Sequence, residues 1–131
     1  MKTIQQTVII KASAHDIYET LMDSRKHAKL TGDNASISRE IGGKFNAYGE
    51  YIEGINLDLI QDQKIVQSWR ASDWPEGHYS RVTFELEERE SGITNLLFTH
   101  SGVPEDQYDD IAQGWYDYYW EPMKLMLEHQ D

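Results

Sequence analysis

Few of the side chains able to do chemistry stand in a pattern that would let them do it. The five histidines fall at 15, 27, 78, 100 and 129, and no pair has the HxH or HExxH spacing that brings two imidazoles onto one metal. The chain has no cysteine, which excludes thiolate ligands, cysteine nucleophiles and disulfides and makes cytoplasmic residence the expectation. No G-x-S-x-G elbow presents a serine, and Gly42-Gly43 lacks the third glycine and following helix of a phosphate cradle. The acid pairs Asp109-Asp110 and Glu87-Glu88 lie on polar faces, where nothing separates their pKa values as an acid–base pair requires. We therefore expect no catalytic residue, no metal ligand and no cofactor.

What remains is the chemistry of rings with polar tips: desolvating an apolar ligand and orienting it. The chain carries 3 Phe, 4 Trp and 8 Tyr. Trp69, Phe84, Phe98, Trp115 and Tyr119 are the candidate cavity walls, and His100, on a strand face with Leu96 and Phe98, adds a titratable tip. Each of these on its own would simply fill a core. The cluster says more than its members: six of the fifteen aromatics lie between Tyr108 and Trp120, more than one helix face needs, and buried Tyr and Trp require partners for their polar atoms. Arg70 could hold an anionic group or pair with Asp73. Tyr116 and Trp120, four apart on the flank of the last helix, are expected to pack beneath the loop holding Trp74 and Pro75, and His78 to be solvated.

These residues need elements to position them. Ile4, Val8 and Ile10 alternate in a first strand over 3–11, with Gln6 interrupting their face. Ser13 with Asp16 starts a helix to about Asp23 whose apolar stripe is Ala14, Ile17, Tyr18, Leu21 and Met22. Ser24 is read as the cap of a second short helix that Gly32 ends. The period then changes from 3.6 to 2. Runs at 34–39, 43–48, 50–60, 63–70, 79–89 and 93–101, separated by turn residues, predict an antiparallel meander. The clearest alternation sets Ser80, Val82, Phe84 and Leu86 against Arg81, Thr83, Glu85 and Glu87. In 50–60, Tyr51, Ile55, Leu57 and Leu59 share one face. Pro104 opens a helix to about 129 with an apolar arc of Tyr108, Ile111, Ala112, Trp115, Tyr118, Tyr119, Met123 and Met126, kinked at Pro122.

With 131 residues this is one domain over 1–131. Its formal charge is −11, against nucleic acid, which needs a basic stripe, and against anionic lipid surfaces. Residues 1–44 hold seven bases and five acids, residues 45–131 five and eighteen. No linker separates the two parts, so the asymmetry marks two surfaces of one domain. No apolar run is long enough for a membrane span.

The order of elements gives an α+β domain: a curved, antiparallel six- to seven-stranded sheet around a long C-terminal helix, with two short helices after strand 1. Gly42-Gly43-Lys44-Phe45, Ile65-Val66-Gln67-Ser68-Trp69-Arg70 and Trp74-Pro75-Glu76-Gly77-His78 resemble the activator of Hsp90 ATPase homologue family. Thr99-His100-Ser101-Gly102-Val103-Pro104 and Gly114-Trp115 ahead of Tyr118-Tyr119 extend the likeness over nearly the whole chain. It is closest to the C-terminal domain of the eukaryotic co-chaperone. The resemblance implies the helix-grip fold of the START-like (SRPBCC, Bet v 1-like) superfamily, whose sheet grips the helix around an apolar cavity. In the co-chaperone a separate N-terminal domain with a basic, Trp-rich motif does much of the chaperone binding, whereas this chain opens on the first strand of the helix-grip domain. The first expectation is therefore non-enzymatic binding of a hydrophobic or amphipathic small molecule, such as a lipid or polyketide, by a monomer. Binding of an Hsp90-type chaperone is the alternative, and a cavity-based cyclase or hydrolase using His100 the second alternative.

Overall fold

Every strand but the first pairs with its neighbour in sequence, and the first closes the opposite edge against the last. The computed structural model describes residues 2–128. In chain order the elements are β1 (Lys2–Ile10), α1 (Ala14–Met22), α2 (Ser24–Thr31), β2 (Ser36–Ile37), β3 (Lys44–Ala47), β4 (Ile52–Ile60), β5 (Lys64–Ala71), β6 (Ser80–Glu90) and β7 (Ile93–Val103). A helical run follows: a 3₁₀ turn at Glu105–Gln107, α3 (Tyr108–Trp115), a π turn at Tyr116–Trp120 and α4 (Glu121–Glu128). The strands form one antiparallel sheet in the order β1-β7-β6-β5-β4-β3-β2. This is the helix-grip arrangement expected from the sequence.

Local signals account for most of the boundaries. The Ser13 hydroxyl accepts from the Asp16 N–H at 3.1 Å and starts α1. Gly32, at φ 79°, ends α2 in the left-handed region. The cap of α2 is Asp23, not Ser24: its Oδ1 accepts from Lys26 N–H at 3.0 Å. Ser24 Oγ instead accepts from Ile37 N–H at 2.8 Å, which pins the two-residue strand β2, much shorter than the 34–39 run expected. Gly54 is required by close approach, since a Cβ there would lie 1.8 Å from the Ser68 carbonyl oxygen across the β4–β5 pair.

Two bulges set which side chains face inward. In β6, Val82, Phe84 and Leu86 are buried as the alternation predicts. In β4 the buried face is the other one: Ile52, Gly54 and Asn56 point in, and Tyr51 and Ile55 out. The register slips by one between Asn56 and Asp58, after which Leu59 packs against the core. A bulge flips the inward set this way, so the run Tyr51, Ile55, Leu57 and Leu59 was never one face. In β7 the pairing to β1 slips between His100 and Val103, with Gly102 at φ 78°, so that both His100 and Val103 face inward.

The C-terminal helical run lies over this inward face. Here a π turn replaces the kink expected at Pro122. Glu121 N–H reaches back five residues to the Tyr116 carbonyl, and Pro122, which has no N–H, cannot restore the α pattern at the next position. The extra residue rotates everything after it by about 100°. Trp120, read from the sequence as a polar-flank residue, is fully buried, and Tyr118, read as part of the apolar arc, is 57 % exposed. Tyr116 is exposed as well. Trp115 and Trp120, five apart, stack at 5.7 Å and 20°.

Candidate functional site

The interior between sheet and helix is filled by rings. Trp115 is central: its ring lies 4.4 Å from Phe98, 4.7 Å from Tyr119, 5.8 Å from Trp69 and 6.0 Å from Phe84. All six residues singled out from the sequence, Trp69, Phe84, Phe98, His100, Trp115 and Tyr119, are buried. The space that Trp69, Phe84, Trp115 and Tyr119 leave beside His27 and Phe45 is about 10 Å³, room for one water at most.

His100 sits in this interior within a chain of hydrogen bonds that fixes its proton. The Trp115 indole N–H, which can only donate, is 3.1 Å from His100 Nδ1, so Nδ1 is the bare nitrogen and Nε2 carries the proton. His100 Nε2–H then donates to Ser80 Oγ at 2.7 Å, and the Ser80 hydroxyl donates to the Trp69 carbonyl at 2.7 Å. A serine nucleophile needs the opposite polarity, with the imidazole accepting the hydroxyl proton. Burial pushes the His100 pKa down to about 3, which keeps the ring neutral. The pair is therefore a packing device with every polar atom satisfied. His27, a buried residue that gave no signal in the sequence, is fixed in the same manner. Its Nδ1 donates to the Leu21 carbonyl at 3.1 Å and its Nε2 accepts from the Tyr119 hydroxyl at 2.9 Å. Burial lowers the His27 pKa and raises that of Tyr119.

Space for a ligand lies at the mouth. A solvent-open cleft of about 700 Å³ runs between β4, β5 and the turn before β4 on one side and the 3₁₀ turn, α3 and π turn on the other. Trp69, Trp115 and Tyr119 reach it; Phe84, Phe98 and His100 do not. The remaining ring walls are Tyr48, Tyr51, Trp74 and Tyr118, none of which the sequence reading placed there. Trp74 is held from three directions. Arg70 donates through Nη2 to the Trp74 carbonyl at 2.6 Å and through Nε to the Pro75 carbonyl at 3.2 Å, so it does not pair with Asp73. His78 lies edge-on to Trp74 at 5.3 Å, and its Nε2 bonds the Gly102 carbonyl at 3.1 Å; it is half-buried, not solvated. Trp69 meets Trp74 at 5.4 Å on a third side. The Tyr51 hydroxyl donates to Asp73 at 3.0 Å on the rim.

Two polar atoms here are buried without a hydrogen-bond partner, Trp74 Nε1 and the Tyr48 hydroxyl. Tyr48 also holds a left-handed backbone, φ 52°, a strained choice for a bulky residue. Desolvation, with lesser effects from Tyr118 and Asp33, pushes its pKa up to about 12. Among the described residues no group of three or more His, Asp or Glu converges as a metal site, and no helix is long and apolar enough to cross a membrane.

The profile of the family described as activator of Hsp90 ATPase homolog 1-like protein matches residues 11–128. The chain belongs to that family. Among curated relatives, an activator of 90 kDa heat shock protein ATPase homolog from Dictyostelium discoideum is 32% identical over 114 residues, which cover 87% of this chain and 30% of the relative. The chain spans about a third of the length of the curated relatives it matches. Among solved structures, an HSP90 activator from Plasmodium falciparum superposes with TM-score 0.90 at 23% identity, covering 96% of both chains. An Aha1 dimer from Colwellia psychrerythraea, solved in solution, gives TM-score 0.84 at 25% identity over 98% of both. Both solved structures share the sheet-and-helix fold of this chain.

Proposed function

We propose that this domain binds a hydrophobic or amphipathic small molecule in the cleft at the mouth of the sheet and C-terminal helix, and that it does so without covalent chemistry. The observation that carries this reading is the pair of buried, unpartnered polar atoms, Trp74 Nε1 and Tyr48 Oη, on residues that line the same aromatic cleft. A buried donor left unpaired costs about 1–3 kcal/mol. A ligand that reached these atoms, with an acceptor for the indole and a polar group for the phenol, would recover that energy while burying its apolar part against the rings. The strain at Tyr48 favours the same reading, since left-handed bulky residues concentrate at ligand clamps. The volume of about 700 Å³ is within the usual range for small-molecule sites.

A second reading, binding of an Hsp90-type chaperone, is supported by the names of the Dictyostelium and Plasmodium relatives. One experiment separates the two: NMR titration with a panel of lipids, aromatic polyketides and flavonoids, and separately with the chaperone. We expect the Trp74 indole N–H and Tyr48 ring resonances to move with at least one small molecule. If they stay still throughout while surface residues respond to chaperone, the small-molecule reading is wrong.

A further inference from the structure

Resting on the reading that the cleft takes a small molecule, we infer that its ligand is a positively charged amphiphile: an amine or quaternary ammonium carried on an apolar body that also bears a neutral acceptor such as an ether, hydroxyl or carbonyl.

The lining combines two features that favour a cation. Among the described residues, three carboxylates, Asp33, Asp73 and Asp110, line the cleft, and no Lys, Arg or His does. Arg70 on β5 is committed to the carbonyls of Trp74 and Pro75. An anionic ligand would meet three like charges with no counter-ion. The remaining walls are mainly aromatic side chains, whose faces attract cations through their quadrupole, most strongly where water is excluded. The same helical run already shows this contact at its start, where the Lys2 ammonium stands 5.1 Å over the Tyr108 ring.

The two orphaned polar atoms add the rest of the specification. Trp74 is only 4% exposed, and its unpartnered indole N–H can only donate, so an acceptor is the polar group of a ligand that could satisfy it. The Tyr48 phenol, kept protonated by burial and by the charge of nearby Asp33, retains lone pairs for an ammonium N–H. The ligand so specified carries both an acceptor and a cation on a ring or alkyl body.

Three matched probes test this: 2-(naphthalen-1-yloxy)ethylammonium, the neutral 2-(naphthalen-1-yloxy)ethanol and the anionic naphthalen-1-yloxyacetate. All carry the same ring and ether oxygen. Calorimetric titration of the full chain at low salt should give the cation about tenfold tighter binding than the alcohol, and the acetate the weakest. The advantage should shrink at physiological salt because the carboxylates lie at the open rim. Because the whole chain is acidic, the discriminating variants are two charge-matched triples. Asp33→Asn with Asp73→Asn and Asp110→Asn should bring cation and alcohol to within about twofold, with the alcohol unchanged. Glu85→Gln with Glu87→Gln and Glu90→Gln, on the outward face of β6, should leave the cation advantage intact. If the first triple does not fold, the exposed Asp110→Asn alone should cost the cation about two- to threefold. Equal binding of cation and alcohol, both shifting the Trp74 indole N–H, overturns the charge inference and leaves the cleft reading standing. So does an equal loss in both triples, since attraction is then a property of the overall charge. Failure of all three probes to move Trp74 or Tyr48 overturns both.

Discussion

Single residues in this domain are made legible by what their protons do. His100 would pass for a catalytic base by its distance to Ser80, yet the Trp115 indole N–H on Nδ1 reverses the polarity of that contact. The same assignment predicts a pH dependence. The folded His100 stays neutral down to about pH 3 because burial disfavours the imidazolium, whereas the unfolded residue takes a proton near its ordinary 6.5. Stability from this residue is therefore complete above pH 6.5 and is lost as pH falls from there toward 3. Between pH 7 and pH 5 the loss amounts to about 2 kcal/mol for His100, and His27, also lowered by burial, adds in the same direction. Asp23, whose carboxylate is favoured chiefly by the Lys26 backbone N–H, titrates only below its ordinary 3.8, so this window isolates the histidines. Denaturant unfolding at pH 7, 6 and 5 should show the decline, while the His100 ring resonances stay in their neutral position at pH 5. A flat stability over that range, or a His100 that titrates near 6.5, contradicts the assignment. In the sequence His100 was recognisable as an inward-facing titratable group on a strand. The direction of its hydrogen bonds was not, because the partners lie 15 and 20 residues away and on two different elements.

At the scale of elements, the irregularities carry the specificity. Gln6 reads in the sequence as a defect in the apolar face of β1, but it holds the π turn. With Tyr116 N–H bonded to Gln113, the Ala112 carbonyl accepts instead from Gln6 Nε2 at 2.9 Å, and Gln6 Oε1 accepts from the Trp120 indole at 2.7 Å. Replacing Gln6 by Leu keeps the volume and removes both bonds. We expect a loss of about 1–3 kcal/mol for each group left unpaired, together with a shifted Trp120 indole N–H resonance. A loss below about 0.5 kcal/mol would mean that Pro122 alone sets the turn. Strand existence and order were readable because alternation is local; the β4 bulge and the π turn were not. Each inserts one residue, changes the phase for everything beyond it, and is stabilised from a distant part of the chain. That single cause explains why Ile55 and Tyr118 were assigned inward and Trp120 outward. The cleft walls Tyr48, Tyr51 and Trp74 were missed for a different reason: they lie in turns, so the strand alternation that took in Tyr48 and Tyr51 does not apply to them.

On the scale of the whole molecule, the charge of −11 and the rings divide the domain into an acidic exterior and an aromatic interior, and Trp115 decides how much of that interior is available. A helix-grip frame has room for a ligand only if the side chains over the sheet leave it, and here the space between Trp115, Trp69, Phe84 and Tyr119 is about 10 Å³. Trp115→Ala should reopen it. Removing so large a buried ring costs about 3–5 kcal/mol, and the cavity left would be walled by Trp69, Phe84, Phe98 and Tyr119, with His100 Nδ1 deprived of its donor. Indole matches the vacated volume and carries the N–H that His100 lost. Binding only to the folded state, it should raise the unfolding midpoint of the variant in proportion to the logarithm of its concentration once above its Kd, and leave the unsubstituted domain unchanged at the same concentrations. A destabilisation near zero would show that Trp115 does not bridge sheet and helix. A large destabilisation without rescue would show that the interior collapses on itself, and that the frame cannot regain a deep pocket by losing one ring.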